Sequence, residues 1–260
     1  MGQQIPLSVK DLTIGYGKKS NPTVIAKGIE FQLQEGALYG LIGINGSGKS
    51  TLIKTLSGSL EPISGQFELG GNTNENISPN QRAKLLSVVL TKSPVSLNLS
   101  CYELVALGRH PYTNWIGVLT AEDKAAISKA IAITDLDSLR DKKCYQLSDG
   151  QLQRALLARA IAQDTPVIIL DEPTTHLDLH HKFKMLKLLH GLAVEGKTIL
   201  YATHDLELAL DLCNRLLIVQ DQAITDHSPE EAINSGLIQQ LFPEETVKFD
   251  PATRRFTLKK

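Results

Sequence analysis

Eight residues constrain this chain more than any others: Gly43-Ile44-Asn45-Gly46-Ser47-Gly48-Lys49-Ser50 satisfies G-x-x-x-x-G-K-[S/T] in full. The match follows the apolar run Ala37 to Ile42, which reads as a strand, and opens Lys49 to Leu56, which reads as a helix. A glycine-rich turn in that context lets backbone N–H groups converge on phosphate oxygens, and the helix N-terminus adds a favourable dipole. Lys49 is placed to reach β- and γ-phosphates, and the Ser50 hydroxyl to bind Mg²⁺. The bland alternative is a strand-to-helix turn without a ligand. The second half of the chain weighs against it.

There, Val167-Ile168-Ile169-Leu170 runs into two carboxylates, Asp171 and Glu172. A buried parallel strand reads as a continuous apolar run, and ligands gather beyond the carboxyl ends of such strands. Asp171 is placed to hold Mg²⁺ through water, and Glu172 to accept a proton from an attacking water. His204-Asp205 follows another apolar run, Thr198 to Ala202, at the position of a γ-phosphate sensor. Leu147-Ser148-Asp149-Gly150-Gln151 has two readings. Ser148 and Gln151 make a capping box, and Ser148 with the Gly150 N–H makes a second anion site at a helix start. Such a second site has a use only if it serves another subunit's nucleotide.

Short apolar runs alternate with helical patterns over 260 residues, the order of an α/β fold with a largely parallel sheet. Leu7 to Ile14, Ile29 to Leu33, Gln66 to Leu69, Ser87 to Leu90 and Leu216 to Val219 complete the expected strands. Ser100 to about Arg140 reads as mostly helical, with a cap at Thr120 backed by Asp123. Thr246 to Phe249 and Arg255 to Leu258 flank Pro251-Ala252-Thr253 as a hairpin. The expectation is one domain: a core from 1–91 and 152–242, a helical insertion 92–151, and an extension 243–260.

Lys+Arg total 27 against Asp+Glu 28, so no net field draws in nucleic acid or anionic lipid. Cys101, Cys144 and Cys213 lie far apart, as reduced thiols do. The start, Met-Gly-Gln-Gln-Ile-Pro, has no signal-peptide pattern, and Pro6 breaks the myristoylation pattern. No apolar run approaches the roughly 20 residues that span a bilayer. Membrane association is therefore expected only through a partner. His176, His180 and His181 raise a metal site, but no carboxylate or cysteine completes a convincing set.

With these elements in this order, the stretch from Leu7 to about Phe242 resembles the nucleotide-binding subunits of ATP-binding-cassette transporters. The resemblance implies a P-loop core with a mainly parallel sheet, a small antiparallel β subdomain and an inserted helical subdomain. It makes Gly43 to Thr51 the Walker A loop, Asp171 and Glu172 the Walker B pair, and Leu147 to Gln151 the signature. Leu177-Asp178 looks like the D-loop, His204 like the switch histidine and Tyr16 like the aromatic that stacks on adenine. It also implies ATP and Mg²⁺ as cofactors, and a head-to-tail homodimer in which each signature faces the other subunit's γ-phosphate.

Tyr102-Glu103-Leu104-Val105-Ala106-Leu107-Gly108-Arg109-His110-Pro111-Tyr112 is similar to cassettes that power uptake of iron chelates, haem or cobalamin. So is Asp171-Glu172-Pro173-Thr174-Thr175-His176-Leu177-Asp178. That branch implies an integral-membrane permease, an extracytoplasmic substrate-binding protein, and a peripheral place on the cytoplasmic face of the membrane. The plain reading of the first segment is an amphipathic helix that stops at Gly108.

Two positions depart from the family pattern. Asp149 stands where the signature usually has glycine, and its charge suits a helix start, so it is expected to point away from phosphate. Thr91-Lys92 stands where the Q-loop glutamine belongs. Thr91 is expected not to reach the metal directly, and Lys92 to face solvent or the permease. The main rival function is a soluble ATPase of the same fold in iron–sulfur cluster assembly. A DNA-repair cassette is disfavoured by the absence of heptads, zinc-type cysteine spacing and a basic stripe. A regulatory module without turnover needs neither Glu172 nor His204.

Overall fold

The computed structural model describes residues 5–17, 21–91, 95–175, 177–241 and 247–258. Three strands, Leu38–Gly43, Val167–Asp171 and Thr198–Ala202, are buried at every residue. Such strands sit inside a parallel sheet covered on both faces. The sheet runs in the order Leu86–Val89, Val167–Asp171, Thr198–Ala202, Leu38–Gly43, Arg215–Gln220, Ala223–His227, antiparallel only at the last pair.

Side chains alternate between two apolar clusters, as the two-residue strand period requires. Leu38, Ile42, Ile168, Leu170, Ile199 and Tyr201 point to the helices, including Asp149–Ala162 and Leu179–Val194. Tyr39, Leu41, Val167, Ile169, Leu200 and Ala202 point to the helix Lys49–Leu56 and a second, antiparallel sheet. That second sheet has the order Thr23–Leu33, Leu7–Tyr16, Ser64–Leu69, Asn72–Thr73.

Several boundaries differ from the sequence reading, each for a local reason. The first strand continues to Tyr16, past a register shift near Asp11, whose φ is 46°. The second begins at Thr23: Lys27 and Gly28 have no partner in the ladder and the register shifts across them, but pairing resumes from Ala26 back to Thr23. Ala223–His227 was not anticipated: its hairpin turns on Asp221 and Gln222, both at positive φ, where Asn-Gly would have been the recognisable signal.

The helical insertion is less continuous than expected. Helix Cys101–Ala106 passes into a 3₁₀ segment, Leu107–Tyr112, and the next helix is Ala121–Ile133. Gly108 is not a helix stop but a close-contact residue: any side chain there would run into the Arg159 carbonyl. Arg109 is buried, pairs with Asp123 at 2.8 Å, donates to the Ala162 carbonyl at 2.9 Å and lies over the Tyr112 ring. The Thr120–Asp123 capping box forms as read. Asp123 thus serves a helix end and a buried cation together.

The terminal hairpin pairs Val247–Asp250 with Arg255–Leu258. Thr246, expected to open it, lies outside the described residues, as do Lys92 and His176. The hairpin grips the helix Leu206–Leu212: Arg254 donates to the Leu210 carbonyl, Arg255 to Asp211, and the Phe256 N–H to Glu207. Among the described residues no helix is long and apolar enough to cross a membrane.

Candidate active site

The carboxyl edge of the parallel sheet collects the loop after Leu38–Gly43, the end of Val167–Asp171, and the turn after Thr198–Ala202. In the loop 43–50, two glycines are required by shape. A Cβ on Gly43 would stand 2.6 Å from the Val219 carbonyl and 2.7 Å from Ser47 Oγ. Gly48 caps the helix at φ 116°, in the left-handed region, and its Cβ would meet Ile25. Lys49 is buried, and its ammonium donates to the carbonyls of Gly43 at 2.7 Å and Ile44 at 3.1 Å. Burial pushes its pKa down, while Glu172 and Asp171 pull it up less strongly.

Ser50 Oγ donates to Asp171 Oδ1 at 3.3 Å, so the two expected metal-binding oxygens already adjoin. Burial pushes the Asp171 carboxyl above the ordinary range, with the Ser50 and Thr91 hydroxyls opposing it. Ser47 Oγ is buried with no hydrogen-bond partner inside the loop. A buried unpaired hydroxyl in a phosphate cradle, and a hydroxyl beside a carboxylate, suit a phosphate oxygen and a hard divalent cation respectively. The residues present fit ATP and Mg²⁺.

Glu172 follows at φ 51°. Its Oε1 meets His204 Nε2 at 2.6 Å, and its Oε2 accepts from Thr175 Oγ1 at 3.2 Å. Both carboxylate oxygens therefore have partners from the protein, one from the neighbouring strand's exit and one from its own turn. Thr175 was missed in the sequence, where a threonine three residues after a carboxylate gives no distinctive signal. Asp205, beside the histidine, is held by Lys182 at 2.9 Å. Tyr16 reaches the loop as well: its hydroxyl lies 3.0 Å from Thr51 Oγ1, and the residue is 43% exposed. Ile44, Asn45 and Gly46 form the exposed crest of that loop.

The signature residues lie elsewhere on the chain. Ser148 Oγ accepts from the Gln151 N–H at 3.3 Å and Gln151 Oε1 from the Ser148 N–H at 3.0 Å, so the capping box is real. Asp149 is exposed on the first turn. Gly150 abuts Leu177 closely enough that a Cβ would come within 3.1 Å of its side chain. Asp178 caps the helix Leu179–Val194, accepting from the N–H of His181 and bonding its ring. Among the described residues no hydrogen bond joins Ser148, Gly150, Gln151 or Asp178 to the loop 43–51. Thr91, at the remaining departure, donates its hydroxyl to the backbone carbonyl of Asp171 at 2.9 Å.

A profile of the ABC transporter family matches residues 26–175. The chain is 33% identical over 251 residues to the petrobactin import ATP-binding protein of Bacillus anthracis, across 95% of this chain and 90% of that one. It is 32% identical over 235 residues to the ferric enterobactin transport ATP-binding protein of Escherichia coli, across 90% and 85%. Among solved structures, a transporter described as of metal-chelate type, in an inward-facing conformation, aligns with a TM-score of 0.79. It is 28% identical, over 92% of this chain and 89% of that one.

Proposed function

The chain belongs to the ABC transporter family, and on that premise we propose that it hydrolyses ATP to drive an importer of an iron chelate, haem or cobalamin. The observation that carries the catalytic part is the convergence of Lys49, Ser50, Asp171, Glu172 and His204 on one sheet edge. The transport part is supported by the relatives named for petrobactin import and ferric enterobactin transport.

In this reading each residue has a role that its geometry supports. Lys49 exchanges its loop carbonyls for β- and γ-phosphate oxygens, which a buried ammonium binds more strongly than a solvated one. Ser50 and Asp171 would hold Mg²⁺, which when bound would neutralise charge developing on the transferred phosphoryl group. Glu172 takes a proton from the attacking water, and His204 fixes the direction of its carboxylate and then contacts the γ-phosphate. Tyr16 supplies a face for adenine.

In this reading Ser148, Gly150, Gln151 and Asp178 act across a head-to-tail homodimer, on the nucleotide held by the other subunit. Residues 92–151 form the helical subdomain, 1–91 and 152–242 the nucleotide core, and 243–260 an extension. The subunit sits peripherally on the cytoplasmic face of the membrane, bound to an integral-membrane permease that a substrate-binding protein supplies from outside. Co-purification from solubilised membranes tests it: a permease in the complex supports import, and iron–sulfur scaffold proteins in its place would overturn it.

A further inference from the structure

Thr91 stands where the family has its Q-loop glutamine, and its hydroxyl proton goes to a backbone carbonyl, that of Asp171. On the opposite flank, the N–H of Glu172 donates to the Ala202 carbonyl at 3.1 Å. The two bonds grip a single peptide unit, Asp171–Glu172, one from Thr91 just past the strand Leu86–Val89 and one from the end of Thr198–Ala202. Glu172 then turns at φ 51°. A residue with a side chain keeps such a backbone only where its surroundings over-determine it. That turn is what directs the carboxylate towards His204 and Thr175.

We infer that Thr91 is a positioning residue for the general base: its hydroxyl fixes the Asp171–Glu172 peptide and, through it, the direction of the Glu172 carboxylate. The inference rests on the ATPase reading above. It differs from metal contact, the role that the position has by family resemblance, because the hydroxyl donates to main chain, with the Asp171 carboxylate lying beside it. A glutamine side chain, longer by two heavy atoms, has no comparable need to stay on that carbonyl.

Steady-state ATPase of the purified chain tests it, titrating ATP and Mg²⁺ separately. Thr91→Val keeps the shape and removes the hydroxyl, while Thr91→Ser keeps the hydroxyl. Thr91→Val is expected to lower kcat about tenfold, short of the hundredfold that a misplacement of about 1 Å can cost. KM for ATP and half-saturation by Mg²⁺ should stay within about twofold, and Thr91→Ser should keep kcat within about twofold. On a Glu172→Gln background, Thr91→Val should change the residual rate by less than about twofold, because the group it positions is already gone.

Unchanged kcat in Thr91→Val overturns the proposal, and so does a raised Mg²⁺ requirement, which assigns the hydroxyl to the metal. An undiminished tenfold loss on the Glu172→Gln background also overturns it. If Thr91→Val does not fold, Thr91→Ala takes its place, and a serine variant as slow as Thr91→Ala overturns the role for the hydroxyl. Wild-type hydrolysis by Glu172→Gln itself would fault the base assignment instead, a result distinguishable from all of these.

Discussion

His204 Nε2 and Glu172 Oε1 lie 2.6 Å apart, joining the exits of two adjacent strands, Val167–Asp171 and Thr198–Ala202. Among the described residues the histidine makes no hydrogen bond to the loop 43–51; its contact is with the carboxylate proposed to take the water proton. Residues that act as one unit lose function non-additively. Glu172→Gln is expected to lower kcat on the order of 10²–10⁴-fold while leaving ATP bound, trapping the dimer. Adding His204→Ala should cost little more. Losses that multiply in the double variant, measured by steady-state ATPase, would mean the two residues act separately.

Among the described residues the signature shares no hydrogen bond with the loop 43–51 of its own chain, which gives a second prediction. A Ser148→Arg chain and a Lys49→Ala chain should each be inactive alone. A heterodimer places both lesions in one composite site and leaves the other intact. Mixing should restore up to about half the activity per heterodimer, if one composite site suffices for turnover. No recovery in a mixture proven to heterodimerise by native mass spectrometry counts against the shared site.

In the helical insertion, Arg109 and Asp123 are almost fully buried, at 6% and 3% side-chain exposure. Removing one partner of such a pair strands the other and costs about 3–5 kcal/mol. Arg109→Ala or Asp123→Ala should therefore lower the melting temperature by many degrees, whereas substitution at the exposed pair Lys143–Glu103 should change it little. Calorimetry of the three variants compares them directly.

The same carboxylate gives a pH dependence. Burial opposes its ionisation, but the Thr120 N–H, the Arg109 guanidinium and the Thr120 hydroxyl outweigh it and hold its pKa below the usual carboxylate range. A depressed folded-state pKa stabilises the fold above the unfolded value, about 3.9, and that contribution disappears as pH falls through the lower folded value. Melting curves from pH 6 to 2 should show wild type losing its advantage over Asp123→Asn below about pH 4. A gap that persists unchanged to the lowest pH would disprove the linkage.

Cysteine chemistry should be silent in the folded protein. Cys101, Cys144 and Cys213 are all buried. Burial pushes the Cys101 thiol up to about 11 and Cys213 up to about 12. At pH 8 less than about one in a thousand of either is thiolate, the reactive form. N-ethylmaleimide should label none of the three quickly in buffer and all three in guanidinium, and rapid labelling of the native chain by mass spectrometry would contradict this burial.

The candidate catalytic edge is legible in the sequence because its residues announce themselves by local pattern. A glycine-rich loop between an apolar run and a helix, and paired carboxylates after a continuous apolar run, each carry their chemistry in adjacent letters. Partnerships between distant letters were not legible. Thr91 meets Asp171, Thr175 turns back to Glu172, and Arg109 reaches Asp123 only because separate strands and helices pack together. Gly108 illustrates the limit: from sequence it looks like a helix terminator, and only the approach of Arg159 reveals why no side chain fits. The hairpin at Asp221-Gln222 is invisible for a different reason: both turn residues stand at positive φ, yet neither is the glycine or asparagine that signals such a turn.

The order of the parallel sheet also governs how the chain comes off the ribosome. Leu38–Gly43 is among the first strands made, yet both its neighbours, Thr198–Ala202 and Arg215–Gln220, are among the last. At about 5–20 residues per second, the central strand waits on the order of 8–30 s with both hydrogen-bonding edges bare. During that interval Leu38, Leu41 and Ile42, wholly buried in the finished protein, have no sheet to enter. Nascent chains of this protein are therefore expected to depend on holding factors, and to aggregate when translation outruns them, in a way that finished molecules do not.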